Sequence, residues 1–584
     1  MLNGIPASSG IAIGKALLLN RSEMEVLQSV VQNTELEKQR FINALGIAKG
    51  QLEQIKCDAE KNIGSENATI FDAHIMMLED EELISMVCNK ISDEKLNAEY
   101  ALKLSIETFV VLFEEMENEY MRERASDIKD VSNRILKILM SEEAGVGVGI
   151  DVDNVNIKNI NGDYIIVAKD LTPSDTANMN KKSVLGFVTQ IGGRTSHTAI
   201  MARTLEIPAI VGVGTSLFSI KNDDFLILDG DEGTIIINPS REVINDYEVK
   251  RSMQMDYKNE LKKLKYDTST SLDGKKVELA GNIGSVDDVA GVVSSGGEGI
   301  GLFRTEFLYM NKDALPDEEE QYIAYRAVLE KMQGKAVVIR TLDIGGDKKL
   351  TYLPIAEEMN PFLGYRAIRI CLDKQDIFKT QLRALLRASI YGDLKIMFPM
   401  ISCVEELRDA KAVLRSVKNT LDKENILYSK QIQVGIMIEI PSAAIMSDIL
   451  AKEVDFFSIG TNDLIQYTVA VDRMNEKVSG LYNPYNITVL RMIKLVIQNP
   501  HHNNIWVGMC GEVAGDLNLI PLLLGLGLDE FSMAASSILK ARKLIRSINY
   551  EKCIELAEGV LKLSSSEDIK NYISCYKEVT SLKV

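Results

Sequence analysis

The sequence is poor in the features that would place a protein in a membrane or staple it with disulfides. No apolar run approaches the roughly 18–20 residues that a membrane-spanning helix needs. The first residues lack the basic start and apolar core of a secretory signal. Seven cysteines are scattered, odd in number and without a C-x-x-C pair, which argues against a disulfide framework and a cysteine-ligated zinc site. We therefore expect a cytoplasmic protein without membrane insertion.

Positive charge is also in deficit. The chain has 66 Lys and Arg against 84 Asp and Glu, a formal net charge of −18. Nucleic acid and anionic membranes are therefore not expected as partners, whereas a basic protein is. The composition, 46% hydrophobic and 26% charged, is that of a globular protein. At 584 residues the chain is too long for one core, so we expect several domains.

The distribution of glycine and proline along the chain indicates where the domains lie. Residues 21–145 contain no proline and show long helical periods, which predict a helical bundle. Residues 1–20 and 146–239 carry short β-rich segments instead, so the bundle is expected to be inserted into an α/β domain. Residues 240–268 begin with a long stretch of helix formers that lacks glycine and proline, and they are predicted to be a linker helix.

In residues 269–584, short apolar segments alternate with helical stretches. Eight of these segments are candidate strands: 277–283, 299–303, 336–342, 394–400, 434–440, 455–461, 505–510 and 529–534. This alternation predicts a (β/α)8 barrel, in which chemistry gathers at the carboxyl ends of the strands. The predicted class is therefore multidomain α/β, with a barrel after the linker.

Charged residues do cluster at the predicted strand ends. The cations there are Arg304, Arg340, Lys348, Arg366 and Arg473. Arginine suits phosphate and carboxylate because its planar fork donates two parallel hydrogen bonds. Glu439 and Asp463 follow neighbouring strands, and such a pair of carboxylates suits magnesium. For any one of these residues a rim salt bridge is the alternative, but five strand ends of this kind favour an anion-binding site.

His197 is one of only four histidines, within the stretch GGRTSHTAIMAR at 192–203. Two glycines precede it and an apolar helical pattern follows, so it should lie in the first turn of a helix. Free backbone N–H groups and the helix dipole favour an anion there. A histidine so placed is suited to carrying a phosphoryl group. The alternative is a buried, hydrogen-bonded histidine at a helix start.

Cys510 lies between Gly508 and Gly511 at the end of the seventh predicted strand. Its thiol has an ordinary pKa of about 8.5 and is mostly protonated at neutral pH. It can therefore act as a general acid towards a ligand at the rim. The alternative is that Cys510 serves as a small buried apolar side chain.

The stretch 192–203 resembles the phosphohistidine signature of a family that includes enzyme I of the bacterial sugar phosphotransferase system, pyruvate phosphate dikinase and phosphoenolpyruvate synthase. Residues 455–473 (DFFSIGTNDLIQYTVAVDR) resemble its second signature, and 507–516 (VGMCGEVAGD) its cysteine loop. Residues 4–16 and 71–83 are similar to enzyme I in order and spacing. Only about 20 residues precede the predicted bundle, which leaves no room for the ATP-grasp domain of the other two enzymes and favours enzyme I, a phosphoenolpyruvate–protein phosphotransferase.

The resemblance implies a role for each matching residue. His197 would be the phosphorylated nucleophile, and Cys510 would protonate the departing enolate of pyruvate. Glu439 and Asp463 would bind Mg²⁺, with Mn²⁺ as an alternative. The residues expected to bind phosphoenolpyruvate are Arg304, Arg340, Lys348, Arg366, Asn462, Asp463 and Arg473.

The resemblance also implies a phosphocarrier protein, HPr, as the second substrate, docked by the helical insert. Residues 61–82 carry six acidic residues against one lysine, a face that can steer a basic partner. Glu79, Asp80 and Glu82 are the expected carrier-binding residues. The alternative for this segment is a solvated helix end. A homodimer through the barrel and a place in the first step of phosphoenolpyruvate-dependent sugar uptake are further implications.

Two other functions compete with phosphotransfer. One is a lyase or hydrolase of the phosphoenolpyruvate–pyruvate barrel superfamily, in which the N-terminal half would serve only assembly. The other is a regulatory phosphoprotein that another enzyme phosphorylates. The full motif around His197 argues against the first, and the complete set of rim arginines, carboxylates and cysteine argues against the second.

Overall fold

A computed structural model of the chain describes most of its length. The described residues are 1–19, 26–63, 70–114, 119–143, 162–177, 179, 183–193, 196–310, 312, 314–346, 348, 350, 352–475 and 477–579. Side chains are described for these residues except at 60–63, 112–114, 119–126, 142–143, 177, 197, 204 and 577–579. The chain divides into two compact units, Met1–Tyr257 and Lys258–Val584. No helix in the described ranges is both long and apolar enough to cross a membrane.

The first unit contains a mixed eight-stranded sheet with the order β1-β8-β7-β3-β4-β5-β6-β2. Its strands are β1 Leu2–Asn3, β2 Ile5–Ser8, β3 Ile11–Leu19, β4 Tyr164–Ala168, β5 Val184–Thr189, β6 Ala209–Val211, β7 Phe225–Asp229 and β8 Thr234–Ile237. Strands β3 to β6 run parallel, and the outer pairings are antiparallel. Among the described residues between strands β4 and β7 lie the short α-helices Pro173–Ala177 and His197–Leu205 and the 3-10 helix Gly214–Ser219.

Long helices separate β3 from β4 in the sequence. They are Thr34–Ile63, Ile70–Leu78, Glu81–Asp93, Ala98–Glu114 and Glu119–Glu143. Their apolar positions recur at helical spacing and bury side chains such as Phe41, Val87 and Leu102 in one core. A helical insertion in an α/β sheet is therefore present, as the sequence predicts. The next helix is Arg241–Lys263, within the predicted linker; the exact domain limits given above stay a prediction.

The second unit is a closed barrel of eight parallel strands. The strands are β9 Glu278–Ile283, β10 Gly299–Arg304, β11 Val337–Arg340, β12 Leu394–Phe398, β13 Gln433–Ile438, β14 Phe456–Ile459, β15 Trp506–Met509 and β16 Glu530–Met533. The helices around them are Asp288–Ser294, Glu318–Met332, Ile368–Asp373, Gln375–Ala388, Val404–Lys423, Pro441–Ile445, Ser447–Leu450, Thr461–Val469, Ile487–His501, Ile520–Leu526, Ala535–Ser547, Tyr550–Val560 and Ser566–Val579. The predicted barrel and the multidomain α/β class are confirmed.

Side chains from five successive strands, β10 to β14, meet in the barrel interior. Leu302, Val338, Met397, Met437 and Phe456 form a buried cluster there, because every second residue of a barrel strand points inward. This apolar plug lies below the carboxyl ends of the strands. The polar side chains at those ends therefore lie on a packed apolar layer.

Two carboxyl groups lie at the opposite, amino-terminal end of the barrel strands. Glu530 opens β16 and is the register partner of Glu278, which opens β9. Glu530 is only 5% exposed, and its burial, reinforced by the charge of Glu278, raises its pKa to about 8. A Cβ at Gly301 would lie 2.1 Å from Glu530 Oε1, so the absence of a side chain there makes room for the carboxyl group.

We expect Glu530→Gln to stabilise the protein at alkaline pH. The folded state retains a proton that an unfolded glutamate loses near pH 4.5, so this group's contribution to stability is full below that pH and is lost as pH rises towards about 8. The glutamine side chain of the variant does not ionise, so the variant avoids this loss of folding stability, which is on the order of 1 kcal/mol or more. Thermal unfolding at pH 5 and pH 8.5 tests this: the variant should gain a few degrees over wild type only at pH 8.5. The exposed Glu558→Gln is the control, and an equal shift in both variants would contradict the assignment.

Candidate active site

The strands β10 and β11 present the centre of the charged rim. Arg304 and Arg340, which are register partners, end these strands, and Glu306 and Asp343 follow within three residues. Glu306 and Asp343 are 0% and 2% exposed. Both carboxylates are therefore removed from water and need cations close by.

Arg340 bridges the two buried carboxylates. Its Nη2 donates to Glu306 Oε1 at 2.6 Å, and its Nη1 lies 2.9 Å from Asp343 Oδ2. Lys348 Nζ adds a second hydrogen bond to Glu306 Oε1, also at 2.6 Å. Arg366 Nη2 donates to Asp343 Oδ1 at 2.9 Å and to Asp463 Oδ2 at 3.2 Å. Three of the predicted substrate-binding cations are thus brought together in one network.

The network fixes the charge of its members. Burial alone would raise the pKa of the Asp343 carboxyl, but Arg340, Arg366 and Lys348 hold that pKa below its usual range. Burial alone would lower the pKa of Arg340, yet Asp343 and Glu306 raise it above the ordinary value. Among the described residues, Nε of Arg340 and Nε of Arg366 are buried without a hydrogen-bond partner. Each of these two donors therefore keeps an unused hydrogen-bonding capacity within the described structure.

Glu439 and Asp463 provide a paired carboxylate site. Glu439 follows β13, is 2% exposed and accepts a hydrogen bond from Met400 N at 2.7 Å through Oε1. Burial, together with the charges of Asp463 and Asp343, raises the pKa of Glu439 to about 8. A divalent cation would relieve this crowding of negative charge. The donor set fits Mg²⁺, which takes one or two protein carboxylates and completes its shell with water and substrate oxygens.

The remaining predicted substrate-binding residues surround this network. Arg304 is half-buried and makes no ion pair with the described residues. Asn462 and Glu512 exchange hydrogen bonds, from Glu512 N to Asn462 Oδ1 at 3.1 Å and from Asn462 Nδ2 to Glu512 Oε1 at 3.5 Å. Arg473 Nη2 lies 3.8 Å from Asp463 Oδ1, a looser contact that leaves its guanidinium partly exposed.

Cys510 joins the top of the apolar plug. It is 3% exposed, and its Sγ lies 3.8 Å from the carbonyl oxygen of Ile459, to which it donates. Burial raises the pKa of the thiol to about 11, although the charge of Arg340 lowers it somewhat. The thiol is therefore protonated at neutral pH, as an acid must be, and it is also packed as a small apolar group. Both interpretations made from the sequence are compatible with this position.

The helix His197–Leu205 starts where the sequence predicts. Ser196 is its N-cap: the hydroxyl accepts from Ala199 N at 3.3 Å and donates to Gly193 O at 2.9 Å. Thr198 Oγ1 donates to Leu171 O at 2.9 Å and ties the first turn to the loop after β4. The backbone of His197 is therefore the first helical residue, while its side chain, like Arg194 and Thr195, lies outside the described part of the chain.

The predicted carrier-binding acids lie at the junction of two helices. Glu79, Asp80 and Glu82 are exposed. Glu79 Oε1 is 2.5 Å from Lys49 Nζ, which neutralises part of its charge. Asp80 is the N-cap of the helix Glu81–Asp93, and its Oδ1 accepts from Glu82 N at 2.9 Å and Leu83 N at 3.0 Å. Asp80 therefore has a local structural role whether or not a partner binds here.

Three site residues were not predicted from the sequence. Glu306 and Asp343 stand in the strand-end motifs, but their role as counter-charges depends on cations that come from elsewhere in the barrel. Tyr467 is the third: its hydroxyl accepts from Arg366 Nη1 at 3.1 Å and donates to Phe362 O at 2.5 Å. The only signal for the two acids was their position just after apolar strands. Tyr467 was visible only as part of the 455–473 stretch, where no role was assigned to it.

The family models that match the chain are those of PEP-utilising enzymes. The N-terminal model matches residues 3–124, the mobile-domain model 160–233 and the PEP-binding-domain model 258–550. Together they follow the order of the helical insertion, the α/β sheet and the barrel.

Curated relatives match over almost the whole length. A phosphoenolpyruvate-protein phosphotransferase of Staphylococcus carnosus (strain TM300) is 53% identical over 575 residues, covering 98% of this chain and 99% of that protein. The protein of the same name from Bacillus subtilis (strain 168) is 53% identical over 572 residues, with 98% and 99% covered. The one from Listeria monocytogenes serovar 1/2a is 52% identical over 575 residues, with the same shares covered.

Proposed function

The chain belongs to the PEP-utilising enzymes, as a phosphoenolpyruvate-protein phosphotransferase, and from this premise we propose a catalytic or binding role for each residue of the candidate site. The enzyme transfers the phosphoryl group of phosphoenolpyruvate through a phosphohistidine on His197 to a histidine phosphocarrier protein and releases pyruvate. The observation that carries the residue assignment is the meeting of Arg340, Arg366 and Lys348 with the buried carboxylates of Glu306 and Asp343, and of Arg366 with Asp463, at the carboxyl ends of the barrel strands. Substrate charge and rim charge are complementary there.

The barrel rim binds and orients the substrate. The arginines and Lys348 bind its phosphate and carboxylate groups. Ion pairs with Glu306 and Asp343 hold Arg340, Arg366 and Lys348 in place before the substrate arrives. Glu439 and Asp463 would hold Mg²⁺, or Mn²⁺ in its place. When bound, the metal would supply positive charge that stabilises the transferring phosphoryl group. Asn462 and Arg473 complete the substrate set.

The transfer itself breaks the bond between phosphorus and the enol oxygen and forms a bond between phosphorus and His197. The leaving group is enolpyruvate, whose methylene carbon takes a proton from the Cys510 thiol to give pyruvate; the thiolate then regains a proton from water. A raised thiol pKa suits this role because the proton is present before each turnover. Phosphohistidine at a helix N-terminus is stabilised by the backbone N–H groups of the first turn and by the helix dipole.

The second half-reaction passes the phosphoryl group to a carrier, which we assign as HPr. Four consecutive exposed acids, Glu79 to Glu82, support a docking face for a basic protein on the helical insert. A homodimer through the barrel is part of the same proposal. Exposed apolar side chains on that unit, including Ile445, Met474 and Leu481, are surface that such an interface would cover. We place the enzyme in the cytoplasm, at the first step of sugar uptake.

Pyruvate formation with and without carrier tests the function. With phosphoenolpyruvate, Mg²⁺ and no carrier, the enzyme should release one equivalent of pyruvate and stop, because the phosphoryl group stays on the protein. Addition of purified HPr should restore continuous release and yield phosphorylated carrier. Continuous pyruvate release in the absence of any carrier would instead identify a phosphatase or lyase.

We expect Cys510→Ala to slow pyruvate release by roughly 10²- to 10⁴-fold, the usual contribution of a positioned general acid. A group whose pKa is about 11 stays protonated at pH 9, so the wild-type rate should not fall through this group between pH 7 and pH 9. Stopped-flow detection of pyruvate across that range measures both effects. Cys553→Ala, a buried thiol in the helix Tyr550–Val560, is the matched control. Equal rates in the two variants would leave Cys510 a packing residue only.

A further inference from the structure

A buried amide lies directly behind the strand ends that carry the substrate arginines. Gln381, on the helix Gln375–Ala388, is 0% exposed. Its Oε1 accepts from Leu342 N at 2.9 Å, and its Nε2 donates to Thr305 Oγ1 at 3.1 Å and to Tyr325 OH at 3.2 Å. One side chain from the outer helical layer thus joins the ends of β10 and β11.

The hydrogen bonds around Gln381 can run in only one direction. Thr305 Oγ1 donates its single proton to Arg340 O at 2.8 Å, so it accepts from the amide. Tyr325 OH donates to Gln321 Oε1 at 3.1 Å and therefore also accepts from the amide. The NH₂ group of Gln381 consequently faces two acceptors, and its carbonyl oxygen is left for the Leu342 N–H. The orientation of the amide is fixed by its neighbours.

Gln381 is hydrogen-bonded to Leu342 and Thr305, two residues whose neighbours in the sequence are the charged residues of the rim. Thr305 lies between Arg304 and Glu306, and Leu342 lies between Arg340 and Asp343. Leu342 and Thr305 are both 0% exposed, so water cannot replace the lost partner of either group. The chain of bonds from Leu342 through Gln381 and Thr305 to the Arg340 carbonyl closes a ring across the two strands. Its rupture would let the strand ends shift relative to each other.

We propose that Gln381 is a positioning residue for phosphoenolpyruvate, a role that rests on the proposed function. It acts through Thr305 and Leu342, and it sets the spacing between the Arg304–Glu306 end of β10 and the Arg340–Asp343 end of β11. Gln381 touches no substrate in this role. The substrate must meet arginines from both strands at once, so a small shift between the strands costs phosphoryl transfer more than it costs folding.

A variant of the neighbouring Tyr325 distinguishes a loss of positioning from a general loss of core stability. Tyr325 belongs to the same buried network and bonds the same amide, but Tyr325→Phe leaves the Leu342 and Thr305 bonds of Gln381 intact. Gln381→Met removes all three bonds with little change in volume. Both variants lose buried hydrogen bonds and should melt at lower temperature than wild type. Only Gln381→Met should disturb the rim.

The test is single-turnover phosphorylation of the full chain by phosphoenolpyruvate, with Mg²⁺, over a range of substrate concentrations and alongside melting temperatures. We expect Gln381→Met to lower kcat/KM by roughly 10- to 100-fold and to raise KM. Tyr325→Phe should stay within about 2-fold of wild type. If both variants lose kcat/KM equally at an equal loss of melting temperature, or if folded Gln381→Met keeps the wild-type value, the positioning role is wrong.

A second variant decides the question if Gln381→Met does not fold. In Gln381→Glu, burial favours the protonated carboxyl, whose carbonyl oxygen can accept from Leu342 N and whose hydroxyl can donate to Thr305. Its kcat/KM relative to wild type should be near normal at low pH and should fall as pH rises and the group ionises. A ratio that stays flat although the melting temperature falls, relative to wild type, as the carboxyl ionises would overturn the role. Wild type is measured in parallel. If wild type is not phosphorylated, the proposed function itself fails, whereas an active wild type with unaffected variants removes only the role of Gln381.

Discussion

Replacement of His197 by alanine should abolish carrier-dependent pyruvate formation, with a loss of at least about 10⁴-fold, the order expected when a covalent nucleophile is removed. The substrate can still bind the barrel rim of this variant, because every predicted binding side chain belongs to the second unit. The phosphoryl group has no acceptor, however, so pyruvate is not released at a catalytic rate. Binding and chemistry are thereby separated in one variant.

The structure explains why no other histidine should substitute for it. His74 is 0% exposed inside the helical insertion, and His501 Nε2 lies 2.7 Å from Asp529 Oδ2 at the far end of the barrel. His502 is exposed, but it follows the end of a helix and not its N-terminus. Of the four histidines, only His197 opens a helix, where the backbone N–H groups of the first turn and the helix dipole favour a phosphoryl group.

Coupled detection of pyruvate in the presence of HPr measures the effect, and His502→Ala serves as the control because it removes an exposed imidazole without touching a helix start. The control should keep the wild-type rate. If folded His197→Ala keeps more than a small fraction of the wild-type rate, another residue must be the phosphoryl acceptor.

Arg304→Met should lower kcat/KM for phosphoenolpyruvate by roughly 10- to 100-fold. A charge-assisted hydrogen bond contributes about 1.5–3 kcal/mol, and each 1.4 kcal/mol is tenfold in affinity. Arg304 is the cleanest of the rim cations to remove, since it forms no ion pair with the described residues. Arg340→Met would instead leave Glu306 and Asp343 short of a cation and cost about 3–5 kcal/mol of folding stability.

Initial rates of self-phosphorylation against phosphoenolpyruvate concentration, with melting temperature as a check on folding, test the expectation for Arg304. Arg408→Met is the control: this side chain is 62% exposed and pairs only with Glu453 in the described structure. Arg304→Met with wild-type kinetics would remove Arg304 from the substrate site.

The barrel could be predicted from the sequence because its strands are short apolar segments at regular spacing. Every predicted segment overlaps an observed strand, yet several extend beyond it. The segment 336–342 became Val337–Arg340, for example. The strand ends there because the Leu342 N–H bonds the side chain of Gln381 and not a neighbouring strand. A side chain 39 residues away in the sequence decided that boundary, and no local pattern records it.

The charged residues of the candidate site could be predicted from the sequence, but the ion pairs that they form with one another could not. Arginines and carboxylates at strand ends are visible in the sequence because the barrel gathers those ends. Arg366, by contrast, meets Asp343 and Asp463 from 23 and 97 residues away, and its partner Tyr467 comes from a helix. Asp80 shows a missed local signal: an aspartate three residues before a buried leucine of a new helix is an N-cap pattern.

Transfer through His197 is tested by the intact mass of the protein after incubation with phosphoenolpyruvate and Mg²⁺, for wild type and His197→Ala. Wild type should gain one phosphoryl group that is labile in acid and stable in alkali, and the variant should gain none. No added phosphoryl group on a folded wild-type protein, or an equal addition to His197→Ala, would contradict transfer through His197 and favour a lyase or a protein phosphorylated by another enzyme.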